Sequence, residues 1–287
     1  MNQRLARTLG ILLVVLLAAV PSLSAEAQVS TPDRFLPGDR AISPAAGEQS
    51  SPAIAQGGNT VLVVWFDGRA NTTNTSGLET AYDIYGMRFD STGAPLDALP
   101  FPIAAVPADQ TSPQVAWNGA NWLVMFESYS ISGTGGYYQK SLAFVRISPS
   151  GQIQDPKPVP IFNAIPMTGQ WAVANDGGTW VLAFWGMAAS NDLVAIRISP
   201  DGLVLDPPTH SLVPETYYMR FNLKLACATG VCLATFDDLY VNGTNTTGAV
   251  RFDSNLNVLG GGLFTLLPVP AAGLVSNGSA FYLVWLQ

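Results

Sequence analysis

Acidic side chains recur at one place in this 287-residue chain, directly after apolar segments rich in aromatic residues. They are Asp67, Glu127 and the pair Asp237-Asp238. Two carboxylates that face each other across a cavity can act as acid and base, or as acid and nucleophile, in the hydrolysis of a glycosidic bond. The recurrence makes Asp67, Glu127 and Asp237 candidates for that chemistry.

Other features of the sequence argue against catalysis. Asp67 is followed by Gly68-Arg69, a pattern typical of a turn with a local ion pair. His210 is the only histidine and lies beside Pro207-Pro208, so neither a Ser-His-Asp triad nor a zinc site is indicated. No phosphate-binding loop or dinucleotide motif occurs. We therefore expect no cofactor and no metal, and we favour a binding protein over an enzyme.

The segments that differ most between otherwise similar parts of the chain carry residues suited to binding. These segments are 66–82, 127–140, 186–192 and 237–248. Irregular loops on a rigid scaffold commonly bind ligands, and Tyr and Asn side chains suit polar ligands such as glycans or protein surfaces. The alternative is that the loops are solvated and bind nothing. The candidate ligand-binding residues are Arg69, Tyr129, Tyr137, Tyr138, Tyr240 and Asn242.

A repeated unit of roughly 50–60 residues must position these side chains. In the second copy, Gln114-Val115-Ala116 is a predicted strand, Asn118-Gly119 a hairpin turn and Trp122–Phe126 a second strand. After a polar loop, Leu142–Ile147 is a third strand, and a Pro/Gly turn leads to a fourth at Ile153–Ile161. The copies span approximately 51–105, 113–163, 171–214 and 222–267, followed by a partial copy at 270–287.

The third strand of every complete copy ends in arginine plus a large apolar residue. A residue present in each copy most simply has a structural role, since guanidinium groups bond carbonyls and carboxylates well. We expect each arginine to make such bonds between neighbouring copies. The four pairs are Arg88-Phe89, Arg146-Ile147, Arg197-Ile198 and Arg251-Phe252.

A four-stranded unit of this length corresponds to one blade of a β-propeller, whereas an immunoglobulin-type sandwich needs about 100 residues and seven strands. The sequence therefore predicts an all-β fold, a propeller with four full blades and a partial fifth.

A segment near the start of the chain resembles the end of the first copy. Residues 34–43 stand shortly before Gln49-Ser50-Ser51-Pro52, and Phe101-Pro102-Ile103 stands in the same way before the similar sequence Gln110-Thr111-Ser112-Pro113. We interpret 34–43 as an outer strand of the partial blade. Either the two ends close a five-bladed ring, or the chain is a fragment of a larger propeller.

The composition limits the compartment and the partners. Residues 1–27 combine Arg4 and Arg7, an apolar run and an Ala25-Glu26-Ala27 cleavage pattern, which is typical of a secretory signal peptide. The remaining residues, 28–287, are interpreted as one propeller domain that is extracellular or periplasmic. A net charge of −7, with 11% charged residues, argues against nucleic acid and anionic lipid as partners. We expect no membrane association after cleavage of the signal.

The two cysteines, Cys227 and Cys232, flank a predicted turn between two apolar segments. In an exported protein this arrangement favours a disulfide that closes one hairpin. The alternative is a pair of buried thiols.

Several segments resemble known repeats. Val63–Arg69, Tyr82–Arg88 and Gly93–Asp97 resemble the repeats of large exported bacterial proteins, notably from myxobacteria and their relatives. Asn175–Trp180 resembles the end of the Asp-box turn of sialidase-like propellers, although Asn175 stands where that motif has Asp. The resemblance to the exported bacterial repeats implies a propeller on an exported bacterial protein, and it brings no catalytic residues.

Three functions remain after these arguments. The favoured hypothesis is a secreted binding or interaction propeller whose partner is a glycan or a protein surface. The first alternative is a carbohydrate hydrolase that uses carboxylates of the loop face. The second is a purely structural module of a surface protein.

Overall fold

The computed structural model describes residues 48–69, 82–106, 109–132, 137–161, 170–187, 190–207, 210–214, 219–239 and 245–285. The predicted signal peptide and the predicted strand at 34–43 lie outside these ranges. The described residues form strands and turns, and no helical segment among them is long and apolar enough to traverse a lipid bilayer.

Five antiparallel sheets follow one another along the described chain, and each corresponds to one copy of the repeat. Blade 1 contains β1 (Gln49–Gly57), β2 (Thr60–Asp67), β3 (Asp83–Asp90) and β4 (Phe101–Ala104). Blade 2 contains β5 (Asp109–Trp117), β6 (Trp122–Ser132), β7 (Tyr137–Ile147) and β8 (Val159–Pro160). Blade 3 contains β9 (Trp171–Asp176), β10 (Thr179–Met187), β11 (Ser190–Ile198) and β12 (Ser211–Val213). Blade 4 contains β13 (Met219–Ala228), β14 (Val231–Leu239), β15 (Asn245–Asp253) and β16 (Val258–Leu267), and blade 5 contains β17 (Ala271–Ser276) and β18 (Phe281–Trp285).

The first strands of successive blades pack side by side: β1 against β5, β5 against β9, β9 against β13, and β13 against β17. The second, third and fourth strands lie successively outward in each complete blade. The fold is therefore the predicted β-propeller, with four complete blades and two strands of a fifth among the described residues.

Three apolar clusters join blades 1 to 4, because each blade packs one face against the next. The second strand carries a tryptophan as its first residue in blade 2 and as its second residue in blade 3, and both side chains are fully buried. Trp122 donates its indole N–H to the carbonyl of Ala55 at 3.2 Å, and Trp180 donates to Ala116 at 3.1 Å. Each tryptophan thus fills the apolar space between two blades and bonds the first strand of the preceding one.

The cysteines form the expected disulfide, Cys227–Cys232, which joins paired residues at the end of the β13–β14 hairpin. Cys232 is fully buried and occupies the position in the second strand of blade 4 that tryptophan fills in blades 2 and 3.

The repeated arginines bond neighbouring blades, as expected, by a pattern more specific than the sequence indicated. Each of the first three pairs with an aspartate nine residues further along its own blade and donates to a carbonyl in the turn after the next blade's third strand. Arg88 pairs with Asp97 and donates to Pro149 O at 2.8 Å; Arg146 pairs with Asp155 and donates to Pro200 O at 2.9 Å; Arg197 pairs with Asp206 and donates to Ser254 O at 3.0 Å.

The fourth arginine departs from this pattern. The residue nine positions after Arg251 is Gly260 rather than aspartate. The Arg251 guanidinium lies 5.6 Å from the ring centroid of Phe264 and makes no ion pair within the described residues. We call the three complete arrangements the arginine clamps.

Gly57 lies where the inner edge of blade 1 meets blade 2. A Cβ at this position would lie 2.6 Å from Trp117 and 2.7 Å from Trp122. We expect Gly57→Ala to lower the free energy of unfolding by about 2 kcal/mol, because two large rings must move. Chemical denaturation measures this change, and tryptophan fluorescence reports any movement of the rings.

Gly273→Ala is the matched control, since its Cβ would meet only Val284 at 3.9 Å, an ordinary contact. The control should unfold at the wild-type denaturant concentration or slightly above it. Equal effects of the two substitutions would contradict the packing argument.

Candidate functional site

The acidic residues at the ends of the second strands do not share one register. Glu127 is paired with Thr111, and Asp237 is paired with Phe221 at the same position of its blade. Asp67 stands one residue further along, paired with Gln49. Because neighbouring strand residues point to opposite faces, Asp67 faces the opposite side of its blade from Glu127 and Asp237.

Asp67 is completely buried and fully engaged within blade 1. It accepts hydrogen bonds from the Trp65 indole at 2.9 Å and from the Arg69 guanidinium at 2.9 and 2.6 Å. Despite the burial, these donors hold the pKa of Asp67 below its usual range. Arg69 also lies 4.3 Å from the ring centroid of Tyr85. The local ion pair suggested by the sequence is present.

Glu127 lies between blades 2 and 3 and is held by three donors. Its Oε1 accepts a hydrogen bond from the Trp171 indole at 3.2 Å and lies 2.5 Å from Lys140 Nζ. Its Oε2 accepts the Tyr129 hydroxyl proton at 3.0 Å. The negative charge of Glu127 is therefore neutralised by Lys140 and both of its oxygens are bonded.

Asp237 and Asp238 are buried in blade 4, on opposite faces of β14. Asp237 Oδ2 accepts a hydrogen bond from the Asn222 amide at 3.0 Å, whereas its Oδ1 has no hydrogen-bond partner within the described residues. Asp238 accepts a bond from Arg220 Nε at 3.2 Å. Each of the predicted acidic candidates thus has its own set of partners in a different part of the propeller.

A cavity of about 570 Å³ opens among the first strands of blades 2, 3 and 4. It contains Glu127 but neither Asp67 nor Asp237. Most of its wall is polar, with amide and hydroxyl side chains, two cations and two aromatic rings. Its lining residues are Ser112, Gln114, Glu127, Lys140, Gln170, Trp171, Arg220, Phe221, Asn222 and Leu223.

The amides of this cavity also connect successive blades. Gln114 donates to the Trp171 carbonyl at 2.7 Å, and Gln170 accepts the backbone N–H of Leu223 at 2.9 Å. Asn222 donates to the carbonyl of Ala271 in blade 5 at 3.1 Å. The bonds fix the orientation of these side chains around the axis, so the polar wall is preorganised.

The backbone bends sharply at the mouth of the cavity. Ser112 and Asn222 have φ angles of 52° and 59°, and the pairing with the second strand shifts register at both places. Ser51 has the same conformation in blade 1, with φ 51°. Such a bulge redirects side chains at the start of a strand, and left-handed conformations of residues other than glycine concentrate at functional sites.

Two cations border the cavity in different environments. Arg220 packs against two aromatic rings that contact each other edge to face, with its guanidinium carbon 5.5 Å from the Trp185 centroid and 5.1 Å from that of Phe236. Its Nη2 is buried and has no hydrogen-bond partner within the described residues. Lys140 is more exposed and faces Glu127. With Asp238 and Glu127 as counter-charges, the cavity is close to electrically neutral.

The predicted ligand-binding residues are dispersed relative to this cavity. Arg69 bonds Asp67 in blade 1. Tyr129 does not line the cavity but donates a hydrogen bond to Glu127, which does. Tyr137 and Tyr138 belong to β7, and their side chains lie outside the described part of the structure, as do Tyr240 and Asn242 altogether. No group of three or more His, Cys, Asp or Glu side chains within the described ranges is arranged to hold a metal ion.

The segment 127–140 is not the irregular loop that the sequence suggested. β6 and β7 continue as a paired hairpin as far as Ser132 and Tyr137. Alternating Ser, Tyr and Ile residues favour extended structure because they fit a pleated sheet. The cavity residues that the sequence analysis missed belong to the first strands or adjoin them: Gln114 lies in β5, Gln170 directly precedes β9, and Phe221 lies in β13.

Comparisons with known proteins establish the fold and no family. No protein-family profile matches the chain, and no curated protein matches its sequence. A protein of unknown function from Dyadobacter fermentans aligns over 79% of this chain and 71% of its own, at 9% identity and a TM-score of 0.52.

Two glycoside hydrolases superpose less closely. An α-L-arabinofuranosidase from Podospora anserina aligns over 76% of this chain and 68% of its own, with 15% identity and a TM-score of 0.40. A glycosyl hydrolase from Bacteroides ovatus aligns over 83% and 81%, with 9% identity and a TM-score of 0.45. These two likenesses, with TM-scores below 0.5, decide nothing about this chain, whose chemistry is derived from the residues of the cavity.

Proposed function

We propose that this chain is a secreted carbohydrate-binding propeller and that the central cavity holds a neutral sugar. The observation that carries the proposal is the combination of amides, a hydroxyl and aromatic rings around one preorganised cavity. Amides and hydroxyls can bond the hydroxyl groups of a sugar, while an aromatic ring can cover its apolar face.

Phe221 is the aromatic group best suited to contact a ligand. It lines the cavity and is 37% exposed, whereas Trp171 is buried and donates its indole N–H to Glu127. Because Lys140 neutralises Glu127 and Arg220 is paired with Asp238, the cavity favours an uncharged ligand over an acidic one.

The same contacts disfavour the hydrolase alternative. Hydrolysis needs two carboxyl groups about 5–10 Å apart at the scissile bond, and Glu127 is the one carboxylate among the described lining residues. Both of its oxygens already accept hydrogen bonds or an ion pair. A binding site needs neither a second carboxyl group nor a free carboxylate oxygen, so the cavity is better suited to binding than to hydrolysis.

Secretion is proposed on two grounds. Residues 1–27 have the sequence of a signal peptide. The disulfide between Cys227 and Cys232 is typical of proteins that mature in an oxidising compartment.

A glycan array followed by calorimetry with the best-bound neutral oligosaccharide tests the function. We expect Phe221→Ala to weaken its binding at least about tenfold, because the ring covers the apolar face of the sugar. Phe221 is preferable to Gln170 or Asn222, since those side chains also join blades and their loss would disturb the fold.

Leu203→Ala is the matched control, because Leu203 is also an exposed apolar residue and does not line the cavity. Equal affinities of the two variants would place binding elsewhere. Release of reducing sugar that disappears in Glu127→Gln would replace the binding hypothesis with the hydrolase.

A further inference from the structure

Arg220 occupies a position of the first strand at which blades 1 and 2 carry glutamine. It pairs across the β13–β14 hairpin with Asp238. The equivalent pair in blade 1 is Gln49 and Asp67, and Gln110 holds the same position in blade 2. Because two other blades form the same hairpin without an arginine here, the repeat does not require one, and Arg220 is a departure specific to blade 4.

The ion pair with Asp238 uses only part of the Arg220 guanidinium. Nε donates to Asp238 Oδ1 at 3.2 Å, and Nη1 lies 3.5 Å from the carbonyl oxygen of Pro214. Nη2 is buried and has no acceptor in the described part of the chain. In blade 1, by contrast, Arg69 bonds the equivalent carboxylate of Asp67 through both Nε and Nη2. A buried N–H without an acceptor costs free energy, so an acceptor at Arg220 Nη2 would be favourable.

A second buried donor without a partner lies beside Arg220. The Trp185 indole Nε1 has no acceptor within the described ranges, and the centre of its ring is 5.5 Å from the guanidinium carbon. Trp185 does not line the cavity, but its unpaired N–H shows that the described surroundings of Arg220 are short of acceptors. The Arg220 side chain is 5% exposed and does line the cavity, together with the apolar residues Phe221 and Leu223. This end of the cavity therefore combines an unmatched donor with apolar surface.

A carbonyl oxygen is the neutral ligand group that fits this end of the cavity. It accepts hydrogen bonds and brings no proton of its own, whereas a sugar hydroxyl brings a proton that needs an acceptor. A carboxylate would add a negative charge to a cavity whose two cations are already paired with Glu127 and Asp238. An acetamido group carries a methyl group next to its carbonyl, and Leu223 offers apolar surface for it. Phe221 remains available for the face of the sugar ring.

We infer that the sugar held in this cavity is an N-acetylated amino sugar, and that Arg220 determines this specificity by donating from Nη2 to the acetamido carbonyl. The inference rests on the proposed sugar-binding function and names the class of sugar. It assigns different tasks to two neighbouring residues, since Phe221 contacts any sugar ring and Arg220 recognises one substituent.

Pairs of sugars that differ in one substituent test the inference on the parent protein. N,N′-diacetylchitobiose and cellobiose share a linkage and differ in carrying acetamido or hydroxyl groups at C2, and N-acetylgalactosamine and galactose form a second such pair. Calorimetry measures the four affinities. In the pair that binds, we expect the acetamido sugar to bind at least about tenfold more tightly, because its carbonyl satisfies the buried N–H. Equal affinities within that pair would overturn the inference, whether or not any variant folds.

Arg220→Lys separates recognition from packing. Lysine keeps the positive charge beside Asp238 but lacks the planar fork that places a second N–H in the cavity. Affinity for the acetamido sugar should fall at least about tenfold, whereas affinity for its hydroxyl counterpart should stay the same. Arg251→Lys is the matched control and should change neither affinity, because Arg251 is exposed and does not line the cavity. Phe221→Ala should weaken both sugars by the same factor.

The outcomes separate this inference from the proposed function. If neutral sugars without an acetamido group bind at least as well and Phe221→Ala weakens them, the cavity binds sugars but Arg220 does not select them by that group. If Arg220→Lys weakens both members of a pair equally, Arg220 only shapes the cavity and the inference is wrong. Tighter binding of acidic sugars would also contradict it. If no neutral sugar binds, the proposed function fails and this inference fails with it.

Discussion

Replacing Arg146 with alanine should lower the free energy of unfolding by about 3–5 kcal/mol, the cost of removing one partner of a buried ion pair. The Arg146 and Asp155 side chains are only 16% and 8% exposed. Asp155 would keep its bond to the Arg146 backbone N–H but lose the guanidinium that neutralises it. The bond to the Pro200 carbonyl, which joins blade 2 to blade 3, would also be lost.

The protein supplies its own control for this experiment. Arg251 occupies the same register in blade 4, has no ion pair within the described residues and is exposed. Arg251→Ala should therefore change the free energy of unfolding by less than about 1 kcal/mol. Urea denaturation of both variants measures the difference.

Lysine at position 146 should recover only part of the loss, because an ammonium group cannot donate to Asp155 and to Pro200 in the planar arrangement of a guanidinium. Similar losses in the variants at 146 and 251 would mean that the arginines act through packing of their aliphatic stems rather than through the clamps.

The clamps show how far the sequence could predict this fold. Four arginines at one register of a recurring strand indicated a structural contact between repeats, and three of them make it. Their carboxylate partners, Asp97, Asp155 and Asp206, were overlooked although each follows its arginine by nine residues. A regular spacing of that kind is visible without a structure, since the Pro/Gly turn between the two residues has the same length in each copy.

The cavity was less predictable, for a physical reason. Its wall combines residues from three blades that are separated by about one repeat each, and it forms only when the first strands meet at the axis. The bulges at Ser112 and Asn222 also change the register locally. Asp67 also stands one residue further along its second strand than Glu127 does, and neighbouring residues of a strand point to opposite faces, so their shared place after an apolar segment did not reveal that they face opposite sides.

We expect Asp83 to make the free energy of unfolding depend strongly on pH. Its side chain is 8% exposed and lies directly across the strand pair from Asp67. Burial, together with the negative charges of Asp67 and Asp109, raises the pKa of Asp83 to about 6. In the unfolded chain the same carboxyl would titrate near its ordinary value of 3.8.

The protein loses stability as the pH rises, because the pKa of Asp83 is higher in the folded state than in the unfolded chain. Below about pH 4 the carboxyl of Asp83 is protonated in both states, so the folded protein bears no penalty. As the pH rises through about 6, folding must hold an ionised carboxylate among other carboxylates, and stability is lost. A shift of about two pH units corresponds to about 3 kcal/mol at pH 8.

Asp83→Asn should therefore stabilise the protein by up to about 3 kcal/mol at pH 8 and leave it nearly unchanged at pH 4. Denaturation in urea at pH 4, 6 and 8 gives the three values for parent and variant. Asp109→Asn should stabilise in the same direction by a smaller amount, because it removes one of the two charges that act on Asp83 and leaves Asp67 in place. A gain for Asp83→Asn that is equal at all three pH values would assign the effect to packing of the amide, and a loss at pH 8 would mean that Asp83 is stabilised in its ionised form by groups outside the described residues.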